Sequence, residues 1–508
     1  MLTPLPPVRS GISNYASMLL PSLARRVDLT AVVDQQKVEP LEGVSVLPLE
    51  EFRSRRSEFD RVVYQAGNNL HHQFIYREAV SRPAILVLHD MTLHHLIVEM
   101  TLARGRADEY FAILRENHGA AGEAYARGIA HGFHDELGKF LFPASIALAN
   151  RSTHVLVHNR WALETLRSLG VRSPMSVVEH PLIIPPDAGP MREAMRIRLG
   201  LDPSHHVVGM FGFVTRAKRP EVVFEAFARA AARKPELRLL IVGQPSDNVD
   251  LETLAGNAGL ARDQWHATGY VPDEEFDAWL ATVDRVVNLR HPSAGETSGA
   301  LLRVFAAGKP VAVSHSAQFA DLPRALVTPV PFGEEEVEAL ASFFLSEDSR
   351  ERAAAQREWI RDHADVERAA DVYAEILAGN RTSDRENVFP VVPALPLALF
   401  LEVIGTTVVA KGRHWEVTFQ VRNCGASMAR TAAYGELEAL VIAAIDTGAG
   451  TPIIRRLHLD RDLRPGEVGR LRLVFTPLLP RHTLGLSLAV DGIPTFESTP
   501  FYSGEIAA

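Results

Sequence analysis

The sequence predicts an α/β protein built from two doubly wound domains, followed by a smaller all-β sandwich. Three observations lead there. Short continuous apolar runs, "RVVYQAG", "AILVLHD" and "THVLVHN", each end in polar residues, as strands buried on both faces of a parallel sheet do. A second block repeats the pattern with "HVVGMFGF", "LRLLIVG", "RVVNLR" and "PVAVS", separated by helix patterns such as "PEVVFEAFARAAARK". Near residue 397 the hydrophobic period then changes to two.

Taken in order, residues 1–185 form the first α/β block. A helix is expected from Ser10 or Gly11 to Ala24, and a long helical stretch from about Leu93 to Ala149 separates the second strand from the third. Residues 186–380 form the second block, facing the first across a cleft. Its helix patterns resume from about Glu334 to Leu377, and the last of them is expected to pack back on the first domain. The polar, then proline-rich "GNRTSDRENVFPVVPALP" reads as a linker over 381–396. In 397–508, "WEVTFQVRN" puts Trp415, Val417, Phe419 and Val421 on one face and Glu416, Thr418, Gln420 and Arg422 on the other. "TLGLSLAVDG" does the same with Leu484, Leu486, Leu488 and Val490, and Pro465-Gly466 is a turn signal, so an antiparallel sandwich is expected.

Composition narrows the function classes. A chain of 508 residues exceeds a single core, and 46% hydrophobic with 23% charged residues is ordinary for a globular protein. A net charge of −9 argues against nucleic acid as a partner, which needs a basic face. Cys424 is the only cysteine, which rules out an intramolecular disulfide and cysteine-pair zinc sites and fits a reducing, cytoplasmic setting. The opening "MLTPLPPVRSG" has no charged stretch followed by an apolar run, so no secretory leader is expected. The most apolar later stretch, "VFPVVPALPLALFLEVIG", is broken by three prolines and too short to span a bilayer. A peripheral seat on a membrane surface stays open.

Two loops carry most of the chemistry. In "FGFVTRAKRPEVVFEAFA" a strand ends near Phe213, Arg216, Lys218 and Arg219 follow, and a helix begins at Pro220. Cations at a helix N-terminus oppose its dipole, at roughly 0.3–1 kcal/mol each when exposed, so the trio makes sense if an anion docks there. The plain alternative is a solvated basic loop. In "RHPSAGETSGALLRVFAAGKPVAVS", Glu296 precedes Thr297, Ser298 and Gly299 at the start of a helix that Gly308 stops. Small residues there leave backbone amides open to a phosphate, and Glu296 would accept hydrogen bonds from sugar or ribose hydroxyls; its plain alternative is favourable dipole placement. "AILVLHDMTLHH" puts His89 and Asp90 at the carboxyl end of a strand, where such sheets bind ligands, whereas His94, His95 and His154 read as structural. Ser10-Gly11 opens another helix, a weak signal alone.

Together these pieces resemble a known family. A Pro-Pro-x-x-Ser-Gly loop, "LHD", a G-x5-K loop from Gly212 to Lys218, "IVG", "GYVPDEEFDAWLATVD" and "GETSGALLRVFAAGKPV" follow in the order found in retaining, family 4-type glycosyltransferases of the GT-B fold, with two Rossmann-like domains. The resemblance covers about 380 residues. It implies a nucleotide-sugar donor held mainly by the second domain and a glycan or lipid-linked glycan acceptor held mainly by the first, in cell-envelope polysaccharide synthesis. On that resemblance Lys218 neutralises the donor diphosphate, amides at Thr297 to Gly299 assist, Glu296 holds donor hydroxyls, His89 lies near the reacting sugar, and Ser10 and Gly11 border the diphosphate. Gly212 and Arg216 belong to the same donor loop. No metal or other cofactor is implied, and no aspartate-x-aspartate pair stands out as a metal motif. The last domain is similar to immunoglobulin-like modules appended to bacterial polysaccharide-assembly enzymes; a structural appendage without a ligand is the alternative.

Three departures stand out. The family's second glutamate is absent: Val304 lies eight positions after Glu296, and counting back from Gly308 reaches Arg303. Phe213, not arginine, follows Gly212, with Arg216 as a candidate substitute. Only Met1 to Thr3 precede the Pro-Pro loop, an expected weakness in the central strand. Two other classes therefore remain: a nucleotide-sugar enzyme with different chemistry, such as an epimerase, and a non-catalytic glycan-binding scaffold.

Overall fold

The computed structural model describes residues 1–130, 138–184, 189–320, 322–333, 335–347, 350–380, 401–423, 439–446, 453–457, 459–460, 463, 466–490, 493–494 and 502–507. The expected linker 381–396, together with Pro185, Glu334, Cys424 and Pro465, lies outside these residues.

The first sheet is parallel and contains β1 (Thr30–Val33), β2 (Ser45–Pro48), β3 (Val63–Ala66), β4 (Ile85–Leu88), β5 (His154–Val157) and β6 (Met175–Val177). Leu2 bridges β1 and β3, so the spatial order is β2, β1, the Met1–Thr3 segment, β3, β4, β5, β6. Short as it is, this central segment is paired on both sides. The Leu2 amide donates to the Val63 carbonyl at 2.8 Å and the Val32 amide to the Met1 carbonyl at 2.7 Å, while Leu2 is fully buried. The expected weakness is therefore not one of unpaired backbone groups. The long helical stretch after β4 resolves into separate helices, including His94–Met100, Ala107–Ala130 and Ile146–Arg151, and the second of these turns at Gly119.

The second sheet is also parallel: β7 (His206–Phe211), β8 (Leu237–Val242), β9 (Trp265–Ala267), β10 (Arg285–Asn288), β11 (Val311–Ser314) and β12 (Thr328–Val330), in the order β12, β11, β10, β7, β8, β9. Valine, isoleucine and leucine make up most of β8 and half of β10 and of β11, whose apolar side chains are shared between two core clusters. The Val366–Leu377 helix returns to the first domain. It lies against the Gly11–Ala24 helix, with Arg26 paired to Asp371 at 2.6 Å and Glu367 at 3.0 Å, and the Tyr15 and Tyr373 hydroxyls 2.9 Å apart. Ala369 and Ala370 are buried in that seam, where small side chains permit close approach.

Beyond residue 400, β13 (Leu401–Lys411), β14 (His414–Asn423), β15 (Ala439–Ile445), β16 (Ile453–Leu457), β17 (Val468–Phe475), β18 (His482–Val490), β19 (Ile493–Pro494) and β20 (Tyr502–Ile506) form two antiparallel sheets. Trp415, Val417, Phe419 and Val421 face Val441, Ala443, Ile445, Leu484 and Leu486 in one apolar core. The period-two pattern of β14 thus sets which face is buried. The side chains of Leu488 and Val490 lie outside the described residues.

Both parallel sheets have a point where successive connections leave in opposite directions. In the first it falls between the Met1–Thr3 segment and β3; in the second it falls between β7 and β10. Loops diverge at such points and leave a crevice at the carboxyl ends of the strands, which is where open parallel sheets bind ligands.

Candidate active site

The second-domain crevice is flanked by the loop after β7 and the loop after β10. Gly212 sits at φ +81°, and a Cβ there would come within 3.0 Å of Lys218 Nζ, so the glycine makes room for the ammonium. Lys218 is buried and donates to the Phe211 carbonyl at 2.5 Å. Burial, and then the charge of Arg290, pull its pKa well below the usual lysine value, against the opposing charge of Glu296. Arg290 Nε donates to Glu296 Oε1 at 3.0 Å, and the Arg290 backbone amide is fixed on Ser314 Oγ at 2.9 Å. The His291 amide donates to the Ala217 carbonyl at 2.7 Å, tying the two loops together.

The Gly299–Ala307 helix starts beside this cluster. Ser298 caps it by accepting from the Leu301 amide at 3.2 Å, and Gly308 ends it at φ +64°. The amides of Thr297, Ser298 and Gly299 donate to nothing among the described residues. Below them Asn288, nearly fully buried, has an Nδ2 with no acceptor among the described residues. The crevice thus offers two cations and a set of open amides, with one carboxylate beside them.

The basic trio expected after β7 is divided. Arg216 is exposed in the turn Arg216–Lys218. Arg219, in the left-handed conformation at φ +58°, is buried and paired with Glu336 at 2.7 Å, with its guanidinium 4.9 Å from the Phe332 ring centre. Its charge is consumed inside the domain. The second cation of the crevice is instead Arg290, supplied by the neighbouring loop. Val304 is buried, and Arg303 is held by Asp277 at 2.7 Å and by Asp273, over the Phe276 ring at 4.2 Å. A guanidinium with two acidic partners therefore occupies one of the two positions at which the resemblance led to a second glutamate being sought.

The first domain supplies the facing wall. The Met91 amide donates to the Ala294 carbonyl at 2.6 Å, and Asn159 Nδ2 donates to the Gly295 carbonyl at 2.8 Å. Thr297 is engaged there too, its hydroxyl 3.2 Å from Asn159 Nδ2. Asp90, half-buried opposite Glu296, accepts from the Asn68 amide at 3.0 Å. Burial and then the charge of Glu296 push its pKa up to about 7. His180 lies 3.9 Å from where a Cβ on Gly299 would stand, and its Nδ1 donates to the Pro181 carbonyl at 2.9 Å. Ser10 caps the Gly11–Ala24 helix on the Ser13 amide at 3.0 Å, and a Cβ on Gly11 would meet nothing within 4 Å. Arg9, one residue earlier, stacks 4.3 Å over Tyr270, so this loop reaches the second domain.

His89 is placed behind that wall rather than in it. The Gln65 side-chain amide lies against its Nε2, and His158 Nε2 lies 3.0 Å from its Nδ1. His158 Nδ1 in turn donates to the Val178 carbonyl at 2.8 Å. Burial lowers the pKa of His89 well below its usual value and that of His158 to about 3, so both rings are neutral. Two neutral imidazoles carry two protons between them. The Val178 carbonyl takes the one on His158, and the other sits on His89, whose two nitrogens face His158 Nε2 and Gln65 Oε1. With both nitrogens engaged, His89 supports the cleft wall. His94 is likewise structural, between the Tyr110 hydroxyl at 2.6 Å and the Phe142 carbonyl at 2.5 Å.

Comparison with known proteins gives the architecture a name. The chain aligns with Anabaena HepE, solved with UDP and glucose, at a TM-score of 0.52 and 17% identity, covering 74% of this chain and 98% of that one. The fold is GT-B. Sucrose-phosphate synthase of Thermosynechococcus elongatus aligns on the same GT-B frame at a TM-score of 0.50 and 15% identity, covering 73% of this chain and 94% of its own. Residues 205–345, the domain that holds Lys218, Arg290 and Glu296, match the family described as glycosyl transferases group 1. D-inositol 3-phosphate glycosyltransferase of Rhodococcus jostii (strain RHA1) is 36% identical over 128 residues, 24% of this chain and 27% of the relative. The same-named protein of Segniliparus rotundus is 40% identical over 70 residues, 13% and 16% of the two chains. The matched stretches span about a quarter or less of these relatives. No helix among the described residues is long and apolar enough to cross a membrane.

Proposed function

We propose that this protein is a glycosyltransferase that moves a sugar from a nucleotide-sugar donor to a hydroxyl of a glycan or glycolipid acceptor, with retention at the anomeric carbon. The observation that carries the reading is the second-domain crevice, where Lys218, Arg290 and the amides of Thr297 to Gly299 surround one place for an anion. A lysine whose charge is disfavoured by burial and by a neighbouring arginine is relieved when a diphosphate arrives. As the bond between the anomeric carbon and the phosphate oxygen breaks, negative charge grows on the departing diphosphate, and these groups stabilise it. The acceptor oxygen bonds to the anomeric carbon on the same face, and its proton passes to the departing phosphate oxygen. This scheme uses neither a metal nor the carboxylate pair of most glycosidases. Glu296, held by Arg290 through one oxygen and 3.4 Å from the Ser293 hydroxyl at the other, uses the remaining acceptor capacity of that second oxygen for donor hydroxyls.

The match of residues 205–345 to the group 1 family supports the reading, as do the GT-B likeness to HepE, which was also solved with UDP-glucose, and the shared stretches with the two inositol phosphate glycosyltransferases. A cytoplasmic role in bacterial cell-surface polysaccharide assembly, with the C-terminal sandwich contacting glycan, completes the proposal. The test is thermal melting against nucleoside diphosphates and nucleotide sugars, followed by product analysis with candidate acceptors. A ligand of the native state raises stability by RT ln(1 + [L]/Kd). A shift with one base and acceptor-dependent product bear the reading out. A shift without such product points to another nucleotide-sugar reaction, and no shift in a folded sample overturns the donor site.

A further inference from the structure

The loop that carries Glu296 is held from outside itself by β11 and the segment after it. At one end the Arg290 amide donates to Ser314 Oγ at 2.9 Å, on the last residue of β11. At the other end Gln318 Nε2 donates to the Glu296 carbonyl at 2.8 Å. Gln318 lies in the short turn Ala317–Phe319 and is buried, and Phe319 anchors that turn in the apolar core of the domain. Ala317 opens the turn at φ +50°, a left-handed conformation that residues with a Cβ avoid. Such strain gathers where a structure fixes functional groups.

Gln318 also governs a proton. A peptide carbonyl only accepts, so the NH2 of Gln318 must face Glu296, and its Oε1 must face Ser293. Ser293 Oγ lies 2.7 Å from that Oε1 and 3.4 Å from Glu296 Oε2, and it accepts from the Gly295 amide at 3.1 Å. A serine hydroxyl has a single proton to donate. Gln318 takes it over the shorter distance, so Ser293 presents no hydrogen to Glu296. Glu296 Oε1 is taken by Arg290 at 3.0 Å, which leaves Oε2 as the oxygen with room for a hydroxyl of a bound molecule. With no acceptor at position 318, the Ser293 hydroxyl would turn to the carboxylate, a stronger acceptor than an amide, and occupy that oxygen.

We propose that Gln318 is a positioning residue that keeps Glu296 Oε2 free for a hydroxyl of the donor sugar, by holding the Ser293 proton. The assignment rests on the glycosyltransferase reading for the ligand but not for the hydrogen-bond arrangement, and the two are tested separately. In a crystal structure of Gln318→Met, which keeps the length of the side chain and removes both bonds, Ser293 Oγ should move to about 2.5–2.7 Å from Glu296 Oε2. A hydroxyl that stays at 3.4 Å overturns the arrangement. Calorimetric titration of the full chain with UDP-glucose, GDP-mannose, UDP and GDP then reads its use. The nucleotide sugar that the wild type binds should lose about tenfold or more in Gln318→Met. Its nucleoside diphosphate, with no sugar ring to offer Glu296, should change far less. Gln318→Met/Ser293→Ala should regain most of the loss, because no hydroxyl is left to occupy Oε2, and this recovery also shows that the single variant folds. A merely structural Gln318 predicts a double variant weaker than Gln318→Met, and that result overturns the proposal. Equal losses for nucleotide sugar and nucleoside diphosphate overturn it too. If the wild type ignores every nucleotide while Ser293 turns to Glu296 in Gln318→Met, the donor reading falls and the guarded oxygen stands.

Discussion

Arg290 and Glu296 form an ion pair at 3.0 Å within one loop, on the side of the crevice where Lys218 is buried. The pair holds Glu296 in place and adds a second cation where only Lys218 and the helix amides would otherwise meet an anion. Replacing Arg290 by alanine should weaken UDP binding roughly tenfold to a hundredfold, the loss expected of one charged hydrogen-bonding partner. Arg290→Lys should recover part of it, since the charge returns without the planar fork. Calorimetric titration with UDP reads both, and unchanged affinity in Arg290→Ala would remove the arginine from the site.

Lys218 and Arg219 are adjacent in sequence and opposite in role. Lys218→Ala leaves a loop without its ammonium, and turnover should fall by about 10²–10³, the range for removing one group that stabilises transition-state charge. Arg219→Ala strands Glu336, whose side chain is 3% exposed, and breaking such a buried pair costs about 3–5 kcal/mol. Melting temperature should drop clearly in Arg219→Ala and little in Lys218→Ala, while the UDP-induced shift should survive only in the former. Equal melting losses in the two variants would show Lys218 to be a structural residue.

That contrast shows what the sequence could and could not display. Strands such as "LRLLIVG" were legible because their apolar runs stand between polar ends and helix patterns. Strands β6, β9 and β12 have three residues each and β2 buries only one of its four, so no apolar run announces them. Lys218, Glu296 and the helix start at Gly299 were legible because glycine and proline mark their loops. Arg290 gave one faint local sign, an arginine at the end of a buried strand. Asp90 was noticed only as a strand-end residue, and His180 not at all, because their significance comes from the opposite domain. The sharing of charge among Arg216, Lys218 and Arg219 was misjudged for the same reason, since Glu336 lies far along the chain.

Stability should fall steeply in mild acid. Burial lowers His72, His118, His180 and His291 to about 4, and His94 and His158 to about 3, from an unfolded value of 6.5. Between those values the unfolded chain binds protons that the folded chain refuses. The stabilisation is therefore complete above about pH 6.5 and is lost as pH falls through about 4. Each such proton adds up to about 1.4 kcal/mol per pH unit to the slope. Asp90, raised to about 7, works in the opposite sense between its unfolded value of 3.8 and about 7, but it is one group against six. Melting curves from pH 8 to pH 4 should show a plateau above about 6.5 and a steep decline below it. A flat profile would mean that these histidines are reached by water.

Gly295 is the residue on which the two domains close. It sits at φ +75°, and a Cβ there would lie 3.0 Å from the Trp161 ring and 3.1 Å from Met91 Cβ, both in the first domain. Alanine would cost roughly 1–2 kcal/mol for the left-handed backbone alone, before any steric conflict. Met91 is also the residue whose amide donates to Ala294, and Asn159 donates to the Gly295 carbonyl, so the collision falls where the domains are stitched together. Gly295→Ala should lower the melting temperature by several degrees. It should also reduce turnover beyond what the stability loss explains, because Glu296 and Thr297 follow directly in the chain. Turnover measured well below the melting point separates the two effects. Full activity in a destabilised Gly295→Ala protein would show that domain closure does not depend on this glycine.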